Sequence, residues 1–201
     1  MTATIRKGVA VLHSPLKGSV ALLAMALGGC ASSGPPPTEY VLGIEPSAIA
    51  VTSPVTQRPV LEIALVRVPD YLDRTDLLMR SGSQLMSSQS GRWGERLSVG
   101  ITRALAASLA ARRPNFVVTT TPPLNTPNRR LLVDVSTFEA RADRQVVLAA
   151  RWTITDGGNR SNIQSEQAVV VEPVSATGDS GTVTAMTRAV EDLADQIARQ
   201  N

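Results

Sequence analysis

Three stretches of alternating apolar and polar residues follow one another between positions 131 and 172, with an amphipathic helical stripe on either side of them. That order constrains the fold more than any other feature of the chain. Leu131–Ala140 and Val146–Thr155 alternate with the period of two that sends successive side chains to opposite faces of a strand. In the second stretch Val146, Leu148, Ala150, Trp152 and Ile154 share one face. Asp156-Gly157-Gly158-Asn159 reads as a hairpin turn into a third strand, Ser161–Glu172. Upstream, Leu97, Ile101, Leu105 and Leu109 recur every fourth residue and predict a helix from about Glu95 to Arg112, ended by Pro114. Glu95 near its start and Arg112-Arg113 at its end suit the helix dipole. Downstream, Met186, Val190, Leu193 and Ile197 form one stripe of a helix over about Thr182–Gln200, with Arg188, Glu191, Asp192, Asp195 and Arg199 opposite. Strands clustered between two helices predict an α+β single domain, a mostly antiparallel or mixed sheet with two main helices packed on one face, so that each stripe is buried once.

The rest of the folded region reads as shorter pieces. Tyr40–Glu45 is a candidate first strand, and the Pro-, Ser- and Thr-rich stretch Pro46–Pro59 a loop. Val60–Val68 alternates like a half-buried strand, and Pro69–Asp76 is a loop. Leu77–Arg80 and Gln84–Ser88 suit a hairpin around Gly82, Gly91–Glu95 is a corner leading into the helix, and Asn115–Thr121 is a short strand.

Charge and composition exclude several functions. Arg6, Lys7 and Lys17 are three of the chain's 20 basic residues and the only charged ones before position 30, which leaves 17 basic against 17 acidic residues beyond it. That remainder holds no Lys and no His, the single His being His13. Gly178-Asp179-Ser180-Gly181 resembles a protease nucleophile segment, but a serine hydroxyl needs a base to take its proton. With neither His nor Lys available, the segment reads as a loop capping the last helix. Asp70, Asp73 and Asp76 lie among Arg67, Arg74 and Arg80, at a spacing that does not match a calcium loop, and read as solvated ion pairs. No metal and no cofactor is expected. A balanced charge and few aromatics argue against nucleic acid.

Residues 1–29 read as an export signal. Arg6, Lys7 and Lys17 supply its positive region and Val20–Leu27 its apolar core, which is too short to stay in a bilayer as a spanning helix. The run ends in Leu27-Gly28-Gly29-Cys30, which resembles the lipobox of bacterial lipoproteins, and Cys30 is the chain's only cysteine. That resemblance implies cleavage before Cys30, lipidation of its thiol, and a membrane hold through more than one acyl chain, such as palmitate. Ala31 follows in place of the Asp that tends to retain such proteins at the inner membrane, so the expected address is the periplasmic face of the outer membrane. Residues 30–39, with Pro35-Pro36-Pro37, form an extended tether. Its ten steps from Cys30 to Tyr40 reach roughly 35 Å, enough for the domain over 40–201 to stand off the membrane.

A family resemblance rests on Val68-Pro69-Asp70-Tyr71-Leu72-Asp73-Arg74, then Leu78-Met79-Arg80-Ser81-Gly82, then Arg92-Trp93-Gly94-Glu95-Arg96-Leu97, with Tyr40-Val41-Leu42 before them and Arg151-Trp152-Thr153-Ile154 after. The chain resembles the ABC-type transport auxiliary lipoproteins, the PqiC-like family, over about residues 38–200. Gly94 and Arg96 depart from the Ala and Pro more usual there. The resemblance implies a non-enzymatic subunit of an MCE (mammalian-cell-entry) and ABC-type system that moves lipid, such as phospholipid, between membranes. Its partners would be an MCE-domain protein and an ABC permease and ATPase, and a homo-oligomer stays open. No catalytic residue carries over. Candidates for partner binding are Pro69, Tyr71, Leu72, Asp73 and Arg74 of the loop and Arg92, Trp93 and Glu95 of the corner, although a Trp at such a corner is more often a core anchor. The alternative is an independent periplasmic lipoprotein that shuttles a lipid in an apolar groove.

Overall fold

A computed structural model describes residues 35–43, 58–157 and 163–199. Cys30, the export signal, most of the 46–59 loop and the Gly158-Asn159 half of the hairpin turn lie outside the described residues. The elements run β1 (Thr38–Tyr40), β2 (Val60–Ile63), β3 (Asp76–Ser81), β4 (Gln84–Trp93), α1 (Leu97–Arg112), β5 (Val117–Thr119), β6 (Arg129–Arg141), β7 (Gln145–Asp156), β8 (Ile163–Pro173) and α2 (Gly178–Arg199). The eight strands of the described residues form one mixed sheet.

The long strand β6 is its spine. On one side it pairs antiparallel with β7, which pairs antiparallel with β8. On the other side two strands share its length. β2 runs parallel to its first residues, Leu61 opposite Arg129, and β3 parallel to its last, Met79 opposite Ala140. Between them Arg67 bridges to Asp134. β5 lies beyond β2, while β4 and then β1 lie beyond β3.

The alternating residues of β7 that share a face are all buried, and with Leu131, Val133, Val135 and Phe138 of β6 they meet both helical stripes in one core. The stripes are Leu97, Ile101, Leu105 and Leu109 of α1, and Met186, Val190, Leu193 and Ile197 of α2. The expected α+β arrangement is therefore the observed one.

Differences from the sequence reading have local causes. Strand β1 begins at Thr38, directly after Pro37, because proline has no N–H to give a ladder. Strand β2 stops at Ile63, five residues short. Its continuation leaves regular pairing, and the buried Val66 N–H is satisfied instead by the Thr102 hydroxyl of α1 at 2.9 Å. The expected corner at Gly91 is still strand, since Thr38–Tyr40 pairs in parallel with Gly91–Trp93. A Cβ at Gly91 would stand 2.5 Å from an Asp179 carboxylate oxygen and 2.9 Å from the Tyr40 ring, so a larger residue would have to displace both side chains. α2 starts at Gly178, four residues before the expected Thr182, so the segment 178–181 is its first turn and not a loop ahead of it. β6 carries a bulge between Val135 and Thr137, so its alternation changes phase and Glu139 turns to the face opposite the core.

Candidate docking surface

The two segments singled out in sequence, 69–74 and 92–95, lie side by side. The Trp93 N–H donates to the Thr75 carbonyl at 2.7 Å, and Asp76 stands opposite Arg92 in the β3–β4 ladder. The first segment is a tight turn, because Leu72 N–H and Asp73 N–H both donate to the Pro69 carbonyl, at 2.9 and 3.2 Å. β1 then fixes the second segment from its other side, with the Gly94 N–H on the Tyr40 carbonyl at 2.8 Å.

Within this surface the candidate residues divide. Leu72 and Trp93 are buried in the core and offer no contact to a partner, which corrects their place among the binding candidates. Their apolar side chains anchor the surface instead. Asp73 is a helix cap. Its Oδ1 accepts the Ser98 N–H at 3.0 Å, and its Oδ2 lies 3.3 Å from Arg96. No acidic residue stands in the first turn of α1 and Arg96, its N-cap residue, makes no side-chain capping bond, so the loop carboxylate supplies what Glu95 was expected to give. Glu95 turns to Arg103 at 2.7 Å, and Arg103 also donates to the Leu42 carbonyl at 3.0 Å. Arg74 pairs with Asp76, and Arg92 with Glu39 at 2.6 Å. Arg74, Arg92 and Tyr71 are exposed, and Pro69 and Glu95 are half-buried.

A group that the sequence reading missed holds the turn in place. Glu139 is only 2% exposed, yet it is ionic. Arg80 grips both its oxygens, Nη2 donating to Oε1 at 2.6 Å, and the Tyr71 hydroxyl donates to the same Oε1 at 2.7 Å. The Arg80 guanidinium also lies 5.8 Å from the centre of the Tyr71 ring. Hydrogen bonding to Arg80 holds the Glu139 carboxyl below the ordinary carboxylate range and raises the Arg80 pKa in turn. Burial, then the bond to Glu139, pushes the Tyr71 phenol up. The one signal for this cluster was Glu139 between Phe138 and Ala140 in the otherwise uncharged run Val135–Ala140, and the bulge that gives it a face of its own has no residue signature there.

The segment 178–181 opens α2. Asp179 accepts the hydroxyls of Ser88 and Ser90, each at 2.7 Å, and so ties the outer half of β4 to the helix.

The candidate surface pairs arginines with carboxylates on a backbone held by the core beneath, an arrangement suited to binding. Residues 40–198 match the family model described as the ABC-type transport auxiliary lipoprotein component. The chain belongs to that family, which is one of transport auxiliaries and not of enzymes. It is 27% identical over 143 residues to the intermembrane transport lipoprotein PqiC of Escherichia coli (strain K12), covering 71% of this chain and 75% of that protein. The protein of the same name from Shigella flexneri matches equally. Among solved structures, an uncharacterised protein superposes with a TM-score of 0.65 at 23% identity, covering 71% of this chain and 91% of its own. Protein XCC0632 from Xanthomonas campestris superposes with a TM-score of 0.58 at 14% identity, covering 81% and 90%. These two share the fold.

Proposed function

We propose that this chain is the lipid-anchored, non-enzymatic subunit of an MCE- and ABC-type system that moves phospholipid between membranes. It is held at the periplasmic face of the outer membrane through Cys30 and docks the MCE assembly. The family match over residues 40–198 carries this reading, and the relative named for intermembrane transport supports it. The lipobox-like Leu27-Gly28-Gly29-Cys30 stands just ahead of the matched region. Docking uses the accessible part of the described surface: Pro69, Tyr71, Arg74 and Arg92, with Glu95 at its border. Their backbone is held by the core beneath and by the Asp73 cap, so a partner would meet charges already in place.

The rival reading, a carrier that shuttles a lipid alone, needs room for an acyl chain. The apolar pocket between Leu61, Leu109, Phe116 and Ile197 has a cavity volume of only about 10 Å³, while the roomier one, of about 750 Å³, lies over β6, β7 and β8 and is lined in part by Asp134, Ser136, Arg151 and Gln167, so a carrier would have to hold its acyl chain there, against polar and charged side chains. The test is a pull-down of the full-length lipoprotein from detergent-solubilised envelopes. Recovery of an MCE-domain protein with its permease or ATPase is the expected result. Lipid recovered alone, with no component of such a system, would overturn the proposal in favour of the carrier.

A further inference from the structure

The β3–β4 hairpin carries a surface with no role in the docking account. Residues 81–90 form its turn and most of β4, and hold no charged side chain. Beyond the Gly91–Trp93 segment that β1 covers, β4 pairs among the described residues with β3 alone. Exposed strand edges normally carry charge to discourage pairing. Here apolar side chains stand near the turn on both faces: Met79 opposite Met86, 40% and 41% exposed, and Leu85 on the other face, 38% exposed. Gly82, with a positive φ of 59°, makes the tight turn between them. Beside this tip lies the β6–β7 turn, tied to it by the Ala142 N–H on the Arg80 carbonyl at 3.2 Å. That turn presents exposed Arg141 and Arg144, with Asp143 between them.

Strand direction says where this end points. β1 is parallel to β4, with Thr38 opposite Gly91. Followed backwards from Thr38, the chain therefore leaves the domain toward the hairpin turn. Gly91 to Gln84 is seven residues of strand, roughly 23 Å. Cys30 precedes Thr38 by eight residues, whose contour is at most about 28 Å. An anchor at Cys30 therefore has a reach that is only a little longer than the distance from Gly91 to the hairpin turn.

We propose that the hairpin tip, with Leu85, Met79 and Met86, and the flanking Arg141 and Arg144 form a second membrane contact that rests on a phospholipid surface bearing anionic headgroups. The proposal depends on the reading that Cys30 is lipidated. The apolar side chains enter the headgroup boundary while the two arginines stay with the phosphates. Together the anchor and the tip fix which end of the sheet faces the membrane, leaving the opposite end, with the 121–128 loop, pointing away by the length of β6.

Full-length lipoprotein in vesicles of phosphatidylethanolamine and phosphatidylglycerol tests this. A lipidated Cys30 has no thiol to label, so Ser83→Cys and Asn125→Cys each offer a single site for a fluorophore, at the hairpin turn and at the opposite end. Nitroxide-bearing lipid should quench the Ser83 probe several-fold more than the Asn125 probe. Adding Leu85→Asp and Met86→Asp should abolish that excess, and Arg141→Glu with Arg144→Glu should reduce it. Equal quenching at both ends of a chain that floats with the vesicles overturns the second contact while the anchor stands. A chain without the introduced cysteines that takes the label and stays out of the vesicles overturns the anchor reading and this inference with it.

Discussion

The turn-and-corner surface and the β3–β4 hairpin tip are neighbours on one sheet and are built on opposite plans. In the first, almost every charge has a partner, Arg74 with Asp76, Arg92 with Glu39, Arg103 with Glu95 and Arg80 with Glu139, and Leu72 and Trp93 pin the backbone from below. In the second, ten residues carry no charge, and the side chains nearest the turn are half-exposed methionine and leucine. A surface of paired charges on a fixed backbone suits a protein partner that must be chosen. An uncharged apolar tip suits a lipid boundary, which selects little. The pairing of Tyr71 and Arg80 on Glu139 joins the two regions, because Arg80 stands opposite Leu85 beside the hairpin turn and Tyr71 lies in the 69–74 turn.

The comparison breaks most sharply at the anchors. Trp93→Ala should cost about 3–5 kcal/mol of stability, by transfer and cavity formation, and lower the urea midpoint accordingly. A loss under 1 kcal/mol would mean that the corner is not pinned as described. Glu139→Gln should cost about 1–3 kcal/mol, because Arg80 and Tyr71 lose a charged acceptor. The same group sets a pH dependence. Its folded pKa lies below the 4.5 of the free side chain, so its contribution is full above that value and is lost as pH falls through the folded pKa. Acid titrations of the parent and Glu139→Gln should therefore converge at low pH, and an unchanged gap would contradict the ionic role. Asp73→Ala should remove the cap of α1 for about 1–2 kcal/mol, measured by thermal unfolding. Leu85→Asp should leave stability within about 0.5 kcal/mol, since an exposed tip residue holds no core. A large loss there would make the hairpin structural.

Much of this was legible in residue patterns. The β7 alternation and the two helical stripes specify which side chains meet, and the core follows them. The β6 bulge was not legible, because Val135-Ser136-Thr137-Phe138 continues the strand in composition while changing its phase. The parallel pairing of β1 with β4 was hidden as well. Three residues after a proline tether carry no periodicity, and their register is set by contact with a strand fifty residues away. Within the candidate surface, segments 69–74 and 92–95 were both singled out as partner-binding candidates, yet neither their direct contact nor the role of Asp73 was read. A carboxylate that caps a helix 25 residues downstream looks in sequence like any loop acid. Trp93 resolves to the core, as a Trp at the end of a strand usually does.

The central claim is that the paired-charge corner, and not the hairpin tip, receives the transport partner. The most direct measurement is recovery of the MCE-domain protein from solubilised envelopes with full-length Arg92→Glu and full-length Leu85→Asp, beside the parent chain. The account predicts that Arg92→Glu loses the partner while staying in the membrane fraction, and that Leu85→Asp keeps it. Retention by Arg92→Glu together with loss by Leu85→Asp would contradict it and move the docking site to the tip.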